Sequence, residues 1–169
     1  FKGDKKSIIN GKKYLYYLLG TSIIFFLPAI IFTYILTGTL DYKVGGIFTS
    51  YNNTAIYILV ILYLFGIAKS AVMPFHKWLP SAMVAPTPVS ALLHAVAVVK
   101  SGVFIMLKVF LFIFGVDVLT QSGANIIIIL FASFTIISSS FIALNQDNIK
   151  LRLAYSTIGQ LSYIVLATA

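Results

Sequence analysis

Two long uncharged runs constrain the fold of this chain more than any other feature of its sequence. Tyr14 to Leu36 is a run of 23 residues and Ala124 to Leu144 a run of 21, and about 20 apolar residues in a helix are enough to cross the hydrocarbon core of a bilayer. Across the chain, 60% of the residues are hydrophobic and 9% are charged, a composition far from that of an ordinary soluble domain. The sequence therefore predicts a membrane protein.

Three further apolar segments bring the expected number of transmembrane helices to about five. Together, the expected spans cover residues 14–36, 54–73, 89–115, 124–144 and 150–169. The predicted fold class is all-α, a polytopic transmembrane helix bundle. Because the chain starts without methionine at Phe1 and ends at Ala169 inside an apolar segment, we expect residues 1–169 to be the central fragment of a longer membrane domain.

The positive charges favour one orientation, since lysine and arginine in short loops stay on the cytoplasmic side of a membrane. With the N-terminal end of the chain inside, eight loop cations lie inside and only Lys43 lies outside. The eight are Lys2, Lys5, Lys6, Lys12, Lys13, Lys77, Lys150 and Arg152. Because the net charge of +8 is not gathered into a basic surface interleaved with aromatic residues, membrane topology explains it better than nucleic-acid binding.

The absence of cysteine limits the metal chemistry of the chain. Without cysteine, disulfides, thiolate metal sites and cysteine-held iron–sulfur clusters are excluded. A haem bound through histidine or methionine stays formally open. We expect no metal site, no cofactor and no catalytic residue that makes or breaks a covalent bond.

Four of the five prolines are concentrated between residues 74 and 88, after the second expected span. Proline cannot continue a helix from its interior, so we expect this span to break near Pro74. An ordinary cytoplasmic loop would explain the segment. A discontinuous helix, of the kind that transporters use to expose backbone groups near the middle of the membrane, would explain it equally well.

Four ionisable side chains fall within or at the ends of the expected spans, where charge is costly. Lys69 lies four residues from the end of its span and Lys108 seven residues from Gly115, so either ammonium group could extend to the membrane interface. Lys100 lies near the centre of its span, which argues for a function, whereas His94 could be a neutral, packed histidine. A row of such groups is typical of a proton relay.

Polar residues of the fifth span follow a helical stripe. Ser156, Gly159, Gln160 and Tyr163 recur with the spacing i, i+3, i+4 and i+7, which predicts one polar face that contacts protein. Ser156 and Gln160 are candidate accessory residues of a proton pathway, as is Lys108. Lys150 precedes this stripe and is either a determinant of topology or a group at a proton entrance.

Two sequence blocks carry a resemblance to a known family. The blocks AKSAVMPFHKWLPSAMVAPTPVSALLHAVAVVKSGVF and DNIKLRLAYSTIGQLSYI resemble the antiporter-like membrane subunits shared by Mrp-type monovalent cation/proton antiporters, of D or A type, and respiratory complex I. By this resemblance, Lys69 corresponds to the lysine before the helix break, His94 and Lys100 to proton-transfer positions of the next helix, and Lys150 to a basic residue leading to a second half-channel.

The resemblance also reveals three departures from the family pattern. The chain contains no glutamate, so the carboxylate that pairs with the lysine at position 69 is expected before Phe1. The distal lysine of the later broken helix is expected beyond Ala169. Leu151 stands where a second basic residue is common. The segment would therefore hold the centre of a proton pathway without both of its ends.

The function implied by the resemblance is proton translocation in an Mrp-type antiporter, without bond chemistry in this subunit. The alternatives are a membrane-arm subunit of NADH-quinone oxidoreductase and a truncated, inactive scaffold. Implied partners are other membrane subunits of a hetero-oligomeric complex, the lipid bilayer, protons and either sodium or potassium, with no nucleic acid. The implied location is the bacterial inner membrane, with the N-terminal end of the chain cytoplasmic.

Overall fold

A computed structural model describes residues 5–48, 52–83 and 98–169, and all regular structure in them is helical. The helices are α1 (Lys5–Thr21), α2 (Leu27–Thr37), α3 (Asn53–Gly66), α4 (Trp78–Ala82), α5 (Val98–Lys108), α6 (Val116–Ser122), α7 (Asn125–Leu144) and α8 (Ile149–Leu166). Two π-helical turns, Ser22–Phe26 and Val109–Phe114, and a 3₁₀ turn, Ala68–Ser70, complete them. The predicted all-α membrane bundle is confirmed.

Among the described residues, two helices are long and apolar enough to cross a membrane by themselves. The first runs through α1, the π turn Ser22–Phe26 and α2, and its apolar part is Ile8–Thr37, 30 residues long. It ends where Gly38 adopts a left-handed conformation with φ 71°, which glycine does at little cost. The second is α7, with 20 residues. These two helices coincide with the two uncharged runs of the sequence.

A third apolar unit is bent. Val98–Phe114 and Val116–Ser122 meet at an angle of 76° and can form a third span only as a broken pair. The bend is covered by the loop that follows α2, whose Lys43 and Ile47 amides donate to the Phe112 and Ile113 carbonyls at 3.2 and 2.9 Å. Two carbonyl groups of the π turn therefore accept hydrogen bonds from a neighbouring segment.

The second expected span, residues 54–73, is shorter in the structure than its apolar composition suggests. α3 begins at Asn53, where the Asn52 side chain caps the Thr54 amide, and ends at Gly66 after 14 residues. The predicted break is present, but it starts eight residues before Pro74. Proline is therefore not what ends the helix, since the chain has already left helical geometry at Ile67, with φ −87° and ψ 54°.

The last two helices pack closely against each other along small residues. Ala132 and Ser139 of α7 and Ala154 and Gly159 of α8 are buried, and a Cβ atom on Gly159 would lie 3.1 Å from the Ser139 hydroxyl oxygen. Small residues at a helix interface let two backbones approach in lipid. α8 is held at its first turn by Asn148, whose side chain accepts from the Lys150 amide at 3.0 Å.

An aromatic and aliphatic core joins these helices. Fully buried side chains in it include Tyr63 of α3 and Phe110 and Phe114 of the second π turn. The Tyr63 ring meets the Phe114 ring edge-on at 5.7 Å, and its hydroxyl shares a 2.9 Å hydrogen bond with the Thr33 hydroxyl of α2. The polar tip of this large side chain is therefore satisfied inside the bundle, as a buried tyrosine requires.

Candidate functional site

The break between α3 and α4 leaves backbone carbonyl groups without helical hydrogen bonds. Nearby side chains donate hydrogen bonds to these carbonyl groups. The indole nitrogen of Trp78 donates to the Ala68 carbonyl at 2.8 Å, and the Ser70 hydroxyl donates to the Ile67 carbonyl at 2.8 Å. Non-helical backbone is tolerated at membrane depth only where protein or water satisfies it. The break is therefore stabilised by specific side-chain hydrogen bonds.

The same segment is anchored to α7 by one long-range hydrogen bond. Ala71 turns the chain with φ 57°, and the Met73 amide then donates to the Thr135 hydroxyl at 3.1 Å. The Thr135 hydroxyl in turn donates to the Phe131 carbonyl of its own helix at 2.7 Å. A single buried threonine thus acts as donor and acceptor, and it fixes the broken segment to a spanning helix.

Lys69 lies on the 3₁₀ turn Ala68–Ser70, inside this break. Its side chain is exposed within the chain and lines a cavity of about 60 Å³. The turn also packs directly on α5, since a Cβ atom on Gly102 would lie 2.6 Å from the carbonyl carbon and the Cβ of Lys69. Lys69 has no acidic partner among the described residues.

Lys100 is on the helix that Lys69 contacts, but it lies on another face. Gly102, which faces the Lys69 turn, is two residues away, and two residues correspond to about 200° around an α-helix. Lys100 is exposed in this chain, whereas the adjacent Val99 and Val103 are buried. The structure therefore brings the two helical segments together without directing both lysine side chains into one cavity.

Lys108 lies beside two aromatic rings. It is half-buried, and its ammonium nitrogen lies 5.1 Å from the centre of the Tyr42 ring and 5.2 Å from that of Phe104. Both distances are within the range in which a ring face attracts a cation. Aromatic rings thus supply much of the surroundings of this charge.

The other predicted site residues are placed less centrally. His94 lies outside the described residues. Lys150 is half-buried in the first turn of α8, while Ser156 and Gln160 are exposed in this chain. Of the predicted polar stripe, Gly159 is buried against α7 and the other members are exposed within the described chain, so contact of the whole stripe with protein stays a prediction. Small and apolar residues of α8, Gly159 among them, contact α7 because they allow a closer approach of the two helices.

His76 is a polar group that sequence reasoning missed. It is 8% exposed, its Nδ1 atom has no hydrogen-bond partner among the described residues, and its ring lies 6.1 Å from the Tyr155 ring of α8. Burial and, second, the neighbouring Lys77 charge lower the pKa of His76 below its usual value. The sequence feature that could have indicated this residue is its position between Pro74 and Pro80.

Comparison with known proteins adds a finding about the whole chain. The family described as "NADH:quinone oxidoreductase/Mrp antiporter, TM" matches residues 1–169. The chain belongs to this family. The family resemblance inferred from the two motif blocks is thereby confirmed, and the apolar helices place the protein in a membrane. No group of three or more histidine, aspartate or glutamate residues able to hold a metal ion occurs in the described ranges.

Individual relatives come from two kinds of complex. The chain is 42% identical over 143 residues to "Putative antiporter subunit mnhA2" of Staphylococcus aureus. This alignment covers 82% of this chain and 17% of that protein. It is 40% identical over 133 residues to "NAD(P)H-quinone oxidoreductase chain 5" of Synechocystis, covering 77% of this chain and 19% of that protein. The chain thus spans about a fifth of the length of these relatives.

Proposed function

We propose that this segment belongs to a proton-translocating subunit of an Mrp-type monovalent cation/proton antiporter. Protons move through Lys69 and then through water to His94 or Lys100, and onward to the basic mouth at Lys150. Protonation of Lys69 changes as a carboxylate outside this segment approaches or leaves. The subunit works with other membrane subunits in the bacterial inner membrane, exchanges sodium or potassium for protons, and makes or breaks no covalent bond.

One observation carries this proposal. Lys69 lies in the backbone break of a helix that ends inside the bundle, beside a cavity of about 60 Å³. An ionisable group inside a membrane domain is costly and is commonly part of an ion or proton path. The carbonyl groups at the end of α3 carry the negative end of the helix dipole, which attracts a cationic side chain nearby.

The test is proton flux in membrane vesicles that carry the assembled complex. Lys69→Ala and Lys100→Ala should each reduce proton-coupled activity to below about a tenth of normal, because each removes an intramembrane proton carrier. Lys108→Ala should be milder, since that ammonium group is held by aromatic rings and can reach an interface. Lys13→Ala, an exposed cation of α1, is the matched control.

Normal flux in assembled complexes with alanine at position 69 or 100 would refute the pathway. Equal, small effects at positions 100 and 108 would reduce Lys100 to a structural residue. In either case, the amount of assembled complex has to be measured beside the flux, because a lysine could also act in assembly.

The second candidate system is a membrane arm driven by NADH or NADPH and a quinone. The 40% identity to the quinone oxidoreductase chain of Synechocystis favours it, while the 42% identity to the staphylococcal antiporter subunit favours exchange. Copurification separates the two. Flavin and iron–sulfur subunits bound to the tagged protein would support the oxidoreductase and refute the antiporter assignment.

A further inference from the structure

The cavity beside Lys69 has a second polar wall, which the first spanning helix supplies. Thr21, Ser22 and Phe26 line the cavity from this helix, while Gly66, Lys69 and Ile105 line it from the break and from α5. Lys69, Thr21 and Ser22 carry its polar side-chain groups. Two of these three therefore come from a helix whose sequence contains no charge between residues 14 and 36.

The first helix departs from α-helical geometry next to this cavity. Ser22–Phe26 is a π turn, in which the Leu27 amide donates to the Ser22 carbonyl five residues back. Such turns are rare and occur often at functional sites. Directly beside the cavity, a Cβ atom on Gly66 would lie 2.7 Å from the Cα of Phe26, so the two backbones touch at one edge of the cavity.

The hydroxyl groups in the wall differ in what they can still bind. The Thr21 hydroxyl already donates to the Tyr17 carbonyl at 2.7 Å, as is common for threonine inside a helix. The Ser22 hydroxyl makes no hydrogen bond to another described residue, and Ser22 is half-buried. Ser22 can therefore both donate to and accept from water, which is what a proton-conducting chain requires.

The size of the cavity suits water. A volume of about 60 Å³ is room for about four molecules, since one water needs roughly 10–15 Å³ of such space and two to four polar partners. We infer that Ser22 is a positioning residue of the Lys69 site, whose hydroxyl anchors a short water chain to the lysine ammonium. This inference rests on the proposed proton pathway and adds the first helix to it.

Three substitutions at position 22 separate the effect of the hydroxyl group from the effect of the cavity volume. Ser22→Ala removes the hydroxyl and keeps the cavity, Ser22→Thr restores a hydroxyl, and Ser22→Leu fills the space. In vesicles with the assembled complex, we expect about tenfold lower proton flux for alanine, a larger loss for leucine, and a flux within about twofold of normal for threonine. Ser138→Ala, a half-buried serine of α7 away from the cavity, is the control.

A second measurement does not depend on transport. Hydroxyl radicals generated from bound water oxidise adjacent side chains, so Phe26 should be labelled in the unsubstituted complex and much less in Ser22→Leu. Equal labelling of Phe26 in both would overturn the water site, whatever the flux. Normal flux in Ser22→Ala would overturn the role of the hydroxyl. Flux unaffected by Lys69→Ala, with labelling as expected, would refute the proposed pathway and leave the water site standing.

Discussion

The hydrogen bond between the Met73 amide and the Thr135 hydroxyl, 3.1 Å long, offers a direct test of how the helix break is held. Thr135→Val keeps the size and branching of the side chain but leaves the buried amide without an acceptor. A buried unsatisfied donor costs about 1–3 kcal/mol. The free energy of local opening of the segment should fall by that amount.

The measurement is amide hydrogen exchange of peptides covering residues 71–83 in the purified complex. Because 1.4 kcal/mol corresponds to a factor of ten, exchange in Thr135→Val should be about 5- to 140-fold faster. Thr135→Ser keeps the acceptor and should stay close to normal. Thr120→Val is the matched control, because the exposed Thr120 hydroxyl donates only to carbonyls of its own helix.

Unchanged exchange in the assembled Thr135→Val complex would refute this reasoning. It would mean that the Met73 amide is satisfied by another group, and that packing alone keeps the broken segment against α7. Faster exchange in the Thr120→Val control, within the same peptides, would instead mean that the effect does not come from the bond at Thr135.

Two further predictions concern orientation and pH. Cysteine at Gln146 should react with a membrane-impermeant reagent only from the cytoplasmic side and cysteine at Lys43 only from the other side, and labelling of position 43 from the cytoplasm would contradict the five-span arrangement. The pKa of His76 lies below its usual value of 6.5, so the folded conformation of residues 71–83 favours the neutral imidazole. The free energy that opposes local opening of this segment therefore decreases as the pH falls. Amide exchange of residues 71–83, corrected for intrinsic rates, should therefore be faster near about pH 5 than at neutral pH, and His76→Phe should remove the difference; a difference that persists would assign the pH effect to another group.

Long uncharged runs were the most predictable part of this fold. A run that cannot satisfy its backbone in lipid except as a helix leaves little choice, and the helix ending at Thr37 and α7 follow the runs closely. The break was also predictable in kind, from the concentration of prolines. Its start at Gly66 was not, because it coincides with the close crossing of Gly66 and the Phe26 backbone, a contact between segments 40 residues apart.

The candidate site was predictable in its lysines but not in its walls. Lys69 stands out as a charge in an apolar segment, whereas Thr21 and Ser22 resemble ordinary small polar residues of a transmembrane helix until the π turn and the cavity are known. The face of α8 that packs on α7 was predictable only in part, since Gly159 is the one member of the polar stripe that is buried in the described chain. A periodic polar stripe predicts a face, but which face contacts a neighbour depends on how closely two backbones approach.

The loop after α2 and the bend after the second π turn meet at two glycines, Gly46 and Gly115, and a Cβ atom on either would collide with the backbone of the other segment. These segments are about 70 residues apart in the sequence, yet neither can change shape alone. A chimaera between two family members should therefore take residues 38–48 and 109–116 from the same parent, since a junction that separates them would join surfaces that were never fitted to each other.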